Sequence, residues 1–256
     1  MSHPSDRFVA HFDMLGMRSL TKRNPDLAWK CLSDLSRARD ERMHMGIELV
    51  DSGELIANQV HSFIFSDTLI SFSKGNAKND ALALLLLTTE LFTLALHYCI
   101  PLRGGIAYGR FDFNLERNLF SGPALVDAYE LGEASQWLGV VLDDWTADIA
   151  KRIPLRSQLG IDGVVPWDVP QRNGPPATRN VMNWIQPHKY CGPVPLEAEV
   201  FYAPMAKMFG PWRDLPSSVR LKYESTVAFF NVQYVIAAKI LPPNRGVQPT
   251  PASGRG

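Results

Sequence analysis

Phe63-Ile64-Phe65-Ser66-Asp67-Thr68-Leu69-Ile70-Ser71-Phe72 sets a polar Ser-Asp pair between two runs of β-branched and aromatic residues. That composition predicts two short strands, Val60 to Phe65 and Thr68 to Phe72, joined as a hairpin with an acidic tip. A second run, Phe8-Val9-Ala10-His11-Phe12-Asp13-Met14-Leu15-Gly16, carries Asp13 where another buried strand should emerge. Paired strands lie ~4.8 Å apart. If the first strand neighbours the hairpin, Asp13 and Asp67 can therefore share two divalent ions, which sit ~3.5 to 4 Å from each other in phosphoryl-transfer sites. Oxygen ligands and phosphates suit Mg2+ or Mn2+. Each residue also has a plainer use, Asp67 as a turn former and Asp13 as the end of a strand.

A third motif, Leu102-Arg103-Gly104-Gly105-Ile106-Ala107-Tyr108-Gly109, follows a long apolar segment. Glycines inside a strand mark close approach of a ligand or of another backbone. Here they either open space for a nucleotide or let a helix pack closely on the strand. Arg103 is read as a phosphate ligand or as an ion-pair partner, since the planar guanidinium suits both.

The order is then strand with Asp, helical stretch, hairpin with Asp, helix, Arg-Gly-Gly strand, and Ser121-Gly122-Pro123-Ala124-Leu125-Val126-Asp127-Ala128-Tyr129-Glu130-Leu131. In these motifs, which cover about residues 7 to 145, the chain resembles the class III nucleotidyl cyclases. It most closely resembles their pyrimidine-specific branch from bacterial anti-phage signalling, the uridylate and cytidylate cyclases. The resemblance implies an α/β (α+β) fold with a palm-like, ferredoxin-like, mostly antiparallel sheet and flanking helices. It implies a head-to-tail homodimer and Asp13 and Asp67 as the two metal-binding carboxylates; Met14 is counted with them in a site for two Mn2+ or Mg2+ ions, and Arg103 is the best side-chain candidate for the triphosphate. The expected reaction converts UTP or CTP into 3′,5′-cyclic UMP or CMP plus pyrophosphate, with uridylate cyclase favoured, and the product would activate a separate cyclic-nucleotide-binding effector. One departure concerns the helix after Gly122. Purine cyclases carry an asparagine and an arginine there that stabilise the transition state, and this chain places Val126 and Glu130 at the aligned positions. Another basic residue then serves the triphosphate, or the chain is a catalytically inactive nucleotide-binding or regulatory relative.

Candidate substrate contacts are the backbone amides of the turn after the first strand, Met14, Leu15 and Gly16 among them, because successive N–H groups form anion-binding nests. Gln59 and His61, one alternation apart on the strand entering the Asp67 turn, are candidates for reading the base. His11 shares the strand face of Asp13 and is read as a packed strand histidine in preference to a ligand. A diguanylate cyclase reading is disfavoured, because the hairpin is Phe-Ser-Asp-Thr and not Gly-Gly-Asp-Glu-Phe. An aspartyl phosphohydrolase is disfavoured because Leu15 stands where a second aspartate is expected.

Equal numbers of basic and acidic residues, 26 each in 256, argue against general nucleic-acid binding, which needs a concentrated positive field. Three separated cysteines, Cys31, Cys99 and Cys191, form no CxxC pair and fit a reducing cytoplasm. The first residues lack the charged and apolar regions of a signal peptide. Ala81 to Ile100 is long and apolar, but Glu90 and His97 interrupt it, so it is read as a helix buried in a core or dimer interface and not as a membrane anchor.

Asn24 and Pro25 predict the N-cap and first position of a helix running to about Met45. Asp80 is expected to cap the apolar helix, Phe111 to Phe120 to form a polar-tipped flap, and Ser121 and Pro123 to start another helix. Asp143 and Asp144 follow a short strand, and the cap of a helix near Trp145 is preferred for them over extra metal ligation. Beyond Pro154 the chain turns proline-rich, with Pro166, Pro170, Pro175 and Pro176 in connections, a short strand at Val181 to Ile185, and a last helix from Arg220 to Ala238 whose Tyr223, Phe229, Phe230 and Tyr234 are read as core. The division is a cyclase core over residues 1–153, a C-terminal elaboration of the same domain over 154–241, and a disordered tail over 242–256.

Overall fold

The computed structural model describes residues 6–44, 47–48, 55–153, 162–185, 192 and 194–240. Its centre is a seven-stranded sheet in the order β10-β11-β9-β6-β1-β5-β4, built from β1 (Asp6–Met14), β4 (Val60–Phe65), β5 (Thr68–Ser73), β6 (Leu102–Arg110), β9 (Val140–Leu142), β10 (Val164–Val169) and β11 (Ala177–Met182). Every neighbouring pair is antiparallel except β6 with β9. Two small hairpins, β2 (Ile47–Glu48) with β3 (Leu55–Ile56) and β7 (Asp112–Asn114) with β8 (Leu119–Ser121), lie outside it. The helices are α1 (Met17–Arg23), α2 (Pro25–His44), α3 (Lys78–His97), α4 (Pro123–Ala134), α5 (Asp144–Arg152), α6 (Ala198–Tyr202), α7 (Ala206–Phe209) and α8 (Ser217–Ile240).

The period-two alternation of β1 divides its side chains between the faces of the sheet. Phe8, Ala10, Phe12 and Met14 enter the main core, together with Leu84, Leu91 and Phe92 of α3. Val9, on the opposite face, joins Phe72, Phe111 and Ala124 in a smaller core to which Phe63, Phe113 and Phe120 are added. The β7–β8 flap thus closes over one end of that second face, with the Phe63 and Phe120 rings 5.0 Å apart. Helix α3 is long and apolar enough to span a membrane, yet most of its apolar side chains are buried in this packing.

Several local expectations need revision. The chain enters helix immediately after β1, and α1 precedes the helix that begins at Pro25. Asn24 accepts from the Leu27 N–H as an N-cap does. The N-cap position of α3 is Ala77, and Asp80 caps the helix from its first turn, its carboxylate accepting from the Gly75 and Ala77 N–H groups at 3.2 and 3.0 Å. The strand expected at Val181 to Ile185 runs instead from Ala177 to Met182. Pro166 lies inside β10, tolerated because β10 is an edge strand. The aromatic residues of α8 pack inward, with Trp137 and Trp167 each 5.2 Å from Phe229 in edge-on contact. Cys191 and the tail over 242–256 lie outside the described residues.

Candidate active site

Cross-strand register brings the two aspartates together. Asp13 pairs with Thr68 on one side, the residue following Asp67, and with Arg103 on the other. The Met14 N–H donates to the Asp67 carbonyl oxygen at 2.7 Å, which ties the end of β1 to the hairpin tip. Ser66 supplies the left-handed turn position, φ 56°. Residues opposite each other in register share a face of the sheet, so Phe65, Thr68, Asp13 and Arg103 form one row across four strands. The next row is Phe63, Ile70, His11 and Gly105.

Helix α4 covers the β6 end of these rows. A Cβ on Gly105 would stand 2.3 Å from the Ala128 carbonyl oxygen and 2.7 Å from the Leu131 Cβ, and one on Gly104, on the other face, would meet the Phe12 ring. The glycines therefore serve close packing of α4 and Phe12 and open no space for a nucleotide. Small residues on the helix complete the fit, with Ala124, Ala128 and Gly132 buried at four-residue spacing. Val126 and Glu130 project away from this seam and are exposed, as is Tyr129, whose ring meets His11 edge-on at 5.2 Å. Burial lowers the His11 pKa, with neighbouring Asp13 opposing the shift, so the imidazole favours its neutral form. At the far end of the row Phe65 is 81% exposed. These rows make a strip of sheet walled by α4 on the β6 side, bordered by the flap and exposed at the hairpin tip, which we take as the candidate substrate trough.

Electrostatically the trough holds a chain of alternating charge. Arg103 is only 4% exposed, and its Nη2 donates both to Asp13 Oδ2 at 3.0 Å and to Glu133 Oε1. The second oxygen of Glu133 accepts from Arg172 Nη1 at 2.7 Å. Lys222, from α8, faces the same group; burial lowers its pKa, Arg103 and Arg172 add to the shift, and Asp13 and Glu133 oppose it. Helix α8 is positioned by Thr226, whose hydroxyl accepts from the Leu138 N–H at 2.7 Å. Glu133, Arg172 and Lys222 have no sequence signature of their own; only the fold brings them to Arg103.

The other sequence candidates are placed as follows. The N–H groups of Met14 and Leu15 are already used, on Asp67 and Pro101, so two members of the expected nest are unavailable to a phosphate. Gly16 has φ +79° at the start of α1, where a Cβ would come within 2.9 Å of the Phe209 ring. His61 sits among Phe72 and Phe113 at 5.2 and 5.6 Å, its pKa lowered by burial and by nearby Lys74 and Arg7. Gln59 precedes β4, and its carbonyl accepts from the Lys74 N–H. Asp143 caps α5 through the Thr146 N–H at 2.7 Å and also accepts from the Tyr108 N–H at 3.0 Å, so it is structural.

Asp13 and Asp67 fit a hard cation. The Asp67 carboxylate has no hydrogen bond or ion pair among the described residues, and Asp13 is partly open to solvent, 31% exposed. No group of three or more His, Cys, Asp or Glu side chains suited to a metal occurs among the described residues. Mg2+ characteristically takes one or two carboxylates and completes its shell with water and substrate phosphates, which is the donor set offered here.

No protein-family model and no curated protein matches the sequence. In three dimensions the chain is similar to the catalytic core of a rhodopsin-guanylyl cyclase with converted specificity, solved in complex with ATPαS. The identity is 12% and the TM-score 0.50, over 71% of this chain and 97% of that one. A bacterial light-regulated adenylyl cyclase is similar at 12% identity and a TM-score of 0.45, over 72% and 93% of the two chains. The fold, a mostly antiparallel sheet flanked by helices, is that of the guanylyl cyclase core.

Proposed function

We propose that the protein is a nucleotidyl cyclase acting on a pyrimidine nucleoside triphosphate, UTP in preference to CTP, and releasing the 3′,5′-cyclic monophosphate and pyrophosphate. The observation that carries this reading is the pair Asp13 and Asp67 on neighbouring strand ends, the carboxylate of the second free of protein partners among the described residues, within a cyclase-type fold. Two Mn2+ or Mg2+ ions, when bound there, would acidify the ribose 3′-hydroxyl and neutralise charge on the α-phosphate and the leaving pyrophosphate. Arg103 is assigned to the triphosphate, and Arg172 and Lys222 extend the positive charge along the same end of the trough. These cations are offered in place of the asparagine and arginine that Val126 and Glu130 cannot supply. The protein would act as a homodimer in the cytoplasm, and its product would signal to a separate effector in anti-phage defence.

The test is incubation with all four nucleoside triphosphates and Mn2+, with products identified by mass spectrometry. Formation of cyclic UMP or CMP is expected. Equal or better use of ATP or GTP overturns the pyrimidine assignment. Nucleotide binding without turnover supports the second reading, a catalytically inactive module, which is favoured by exposed Val126 and Glu130 and by the guanidinium already seated on Asp13.

A further inference from the structure

We infer that Glu133 is a positioning residue that sets the divalent-cation affinity of Asp13 by holding Arg103 partly away from it. The inference rests on the reading of Asp13 and Asp67 as metal-binding carboxylates and assigns a role to a residue outside that pair. Arg103 and Asp13 face each other directly across β6 and β1. One guanidinium nitrogen, Nη2, is divided between Asp13 Oδ2 and Glu133 Oε1. The remaining contacts of Arg103 are weak: Nη1 reaches the carbonyl oxygens of Ser135 and Glu133 only at 3.3 and 3.4 Å, and Nε has no partner among the described residues. The guanidinium is therefore confined by burial but not locked by a full set of bonds, and two carboxylates compete for it.

A cation arriving at Asp13 meets Arg103 as a like charge on the same carboxylate. Binding is easier the more completely Arg103 can pass to Glu133. Glu133 is in turn shared with Arg172, which is exposed and draws on the opposite oxygen. The Arg172–Glu133–Arg103–Asp13 chain thus links a residue of the β10–β11 connection to the metal carboxylate through three ion pairs. Partners of this kind, which orient the ligand without touching the metal, characteristically change metal affinity by about 10- to 100-fold.

The experiment is titration of the full-length protein, without nucleotide, with Mn2+, reading free Mn2+ by electron paramagnetic resonance. Glu133→Gln should weaken binding by about tenfold, because Asp13 is then the one carboxylate left on Arg103. Arg103→Met should tighten it, and Glu133→Gln added to Arg103→Met should cause little further loss. Arg172→Met, which frees Glu133 to hold Arg103, should tighten binding and covers the case in which Glu133→Gln fails to fold by circular dichroism. Unchanged affinity in folded Glu133→Gln, an undiminished loss in the Arg103→Met background, or weaker binding in Arg172→Met overturns the inference alone. Mn2+ binding that survives Asp13→Asn unaltered overturns the metal reading, and this inference with it.

Discussion

Asp13 and Asp67 have the same chemistry and different surroundings, so their substitutions should separate function from stability. Asp67→Asn removes no ion pair recorded among the described residues and should alter folding stability by no more than about 0.5 kcal/mol. Asp13→Asn weakens the hold on a buried guanidinium and should cost about 1–3 kcal/mol. Both, and both alanine variants, should abolish cyclisation while the protein remains folded; turnover by either folded variant would remove the two-metal assignment. His61 offers a test of pH dependence. Its pKa is lowered in the fold by burial and by Lys74 and Arg7, so the unfolded chain binds the extra proton first on acidification. The stability linked to a neutral His61 is complete above the ordinary histidine value and is lost as the pH falls through that value toward the folded one. Denaturant midpoints measured across that window should drop on acidification in the wild type and drop less in His61→Phe. At this scale the aspartates were legible from the sequence because each interrupts a hydrophobic run, whereas the burial of His61 depends on Phe113, far along the chain.

Among the elements, the seat of α4 on β6 sets the width of the trough. A Cβ on Gly105 would stand 2.3 Å from the Ala128 carbonyl oxygen and is accepted only if α4 moves, whereas a Cβ on Gly132 would lie 3.2 Å from the nearest atoms. Gly105→Ala should therefore destabilise by about 1–3 kcal/mol and reduce turnover, and Gly132→Ala should do less of both. Thermal melts and initial rates of the two variants check the ranking; equal effects would mean that α4 is not held by this contact. The hairpin of β4 and β5, the flap and the start of α2 were all readable because alternation, turn residues and caps act within a few positions. Helix α1 escaped notice because it is only seven residues long and Gly16 before it carries no capping side chain.

For the whole molecule, the resemblance to class III cyclases implies a dimer, and the long apolar segment offered itself as the interface. The structure removes that candidate, since α3 is used by the main core. Exposed apolar groups lie elsewhere, among them Trp29, Leu119 and Trp145 and, nearest the candidate site, Phe65 at the hairpin tip and Val126 and Tyr129 on α4. Covering these last three by a second copy would place the interface at the open end of the trough. Sedimentation should then show a dimer that Phe65→Asp weakens without lowering the melting temperature of the protomer, and dilution should reduce specific activity. An active monomer at assay concentration would contradict an active site completed by the second copy.

The strands nearest the two aspartates, the acidic tip between β4 and β5, and the order of elements that suggested a palm can all be read from the chain alone. These follow from periodicities and turn chemistry that neighbouring residues impose on one another. Only the tertiary structure decided that Gly104 and Gly105 serve packing, that α3 is internal, and that Arg103 is shared between Asp13 and Glu133 with Arg172 and Lys222 nearby. Those outcomes depend on strand register and on helix docking between segments far apart in the chain, 30 residues from Arg103 to Glu133 and 90 from Arg103 to Asp13, distances over which no local pattern in the chain states which charge will meet which.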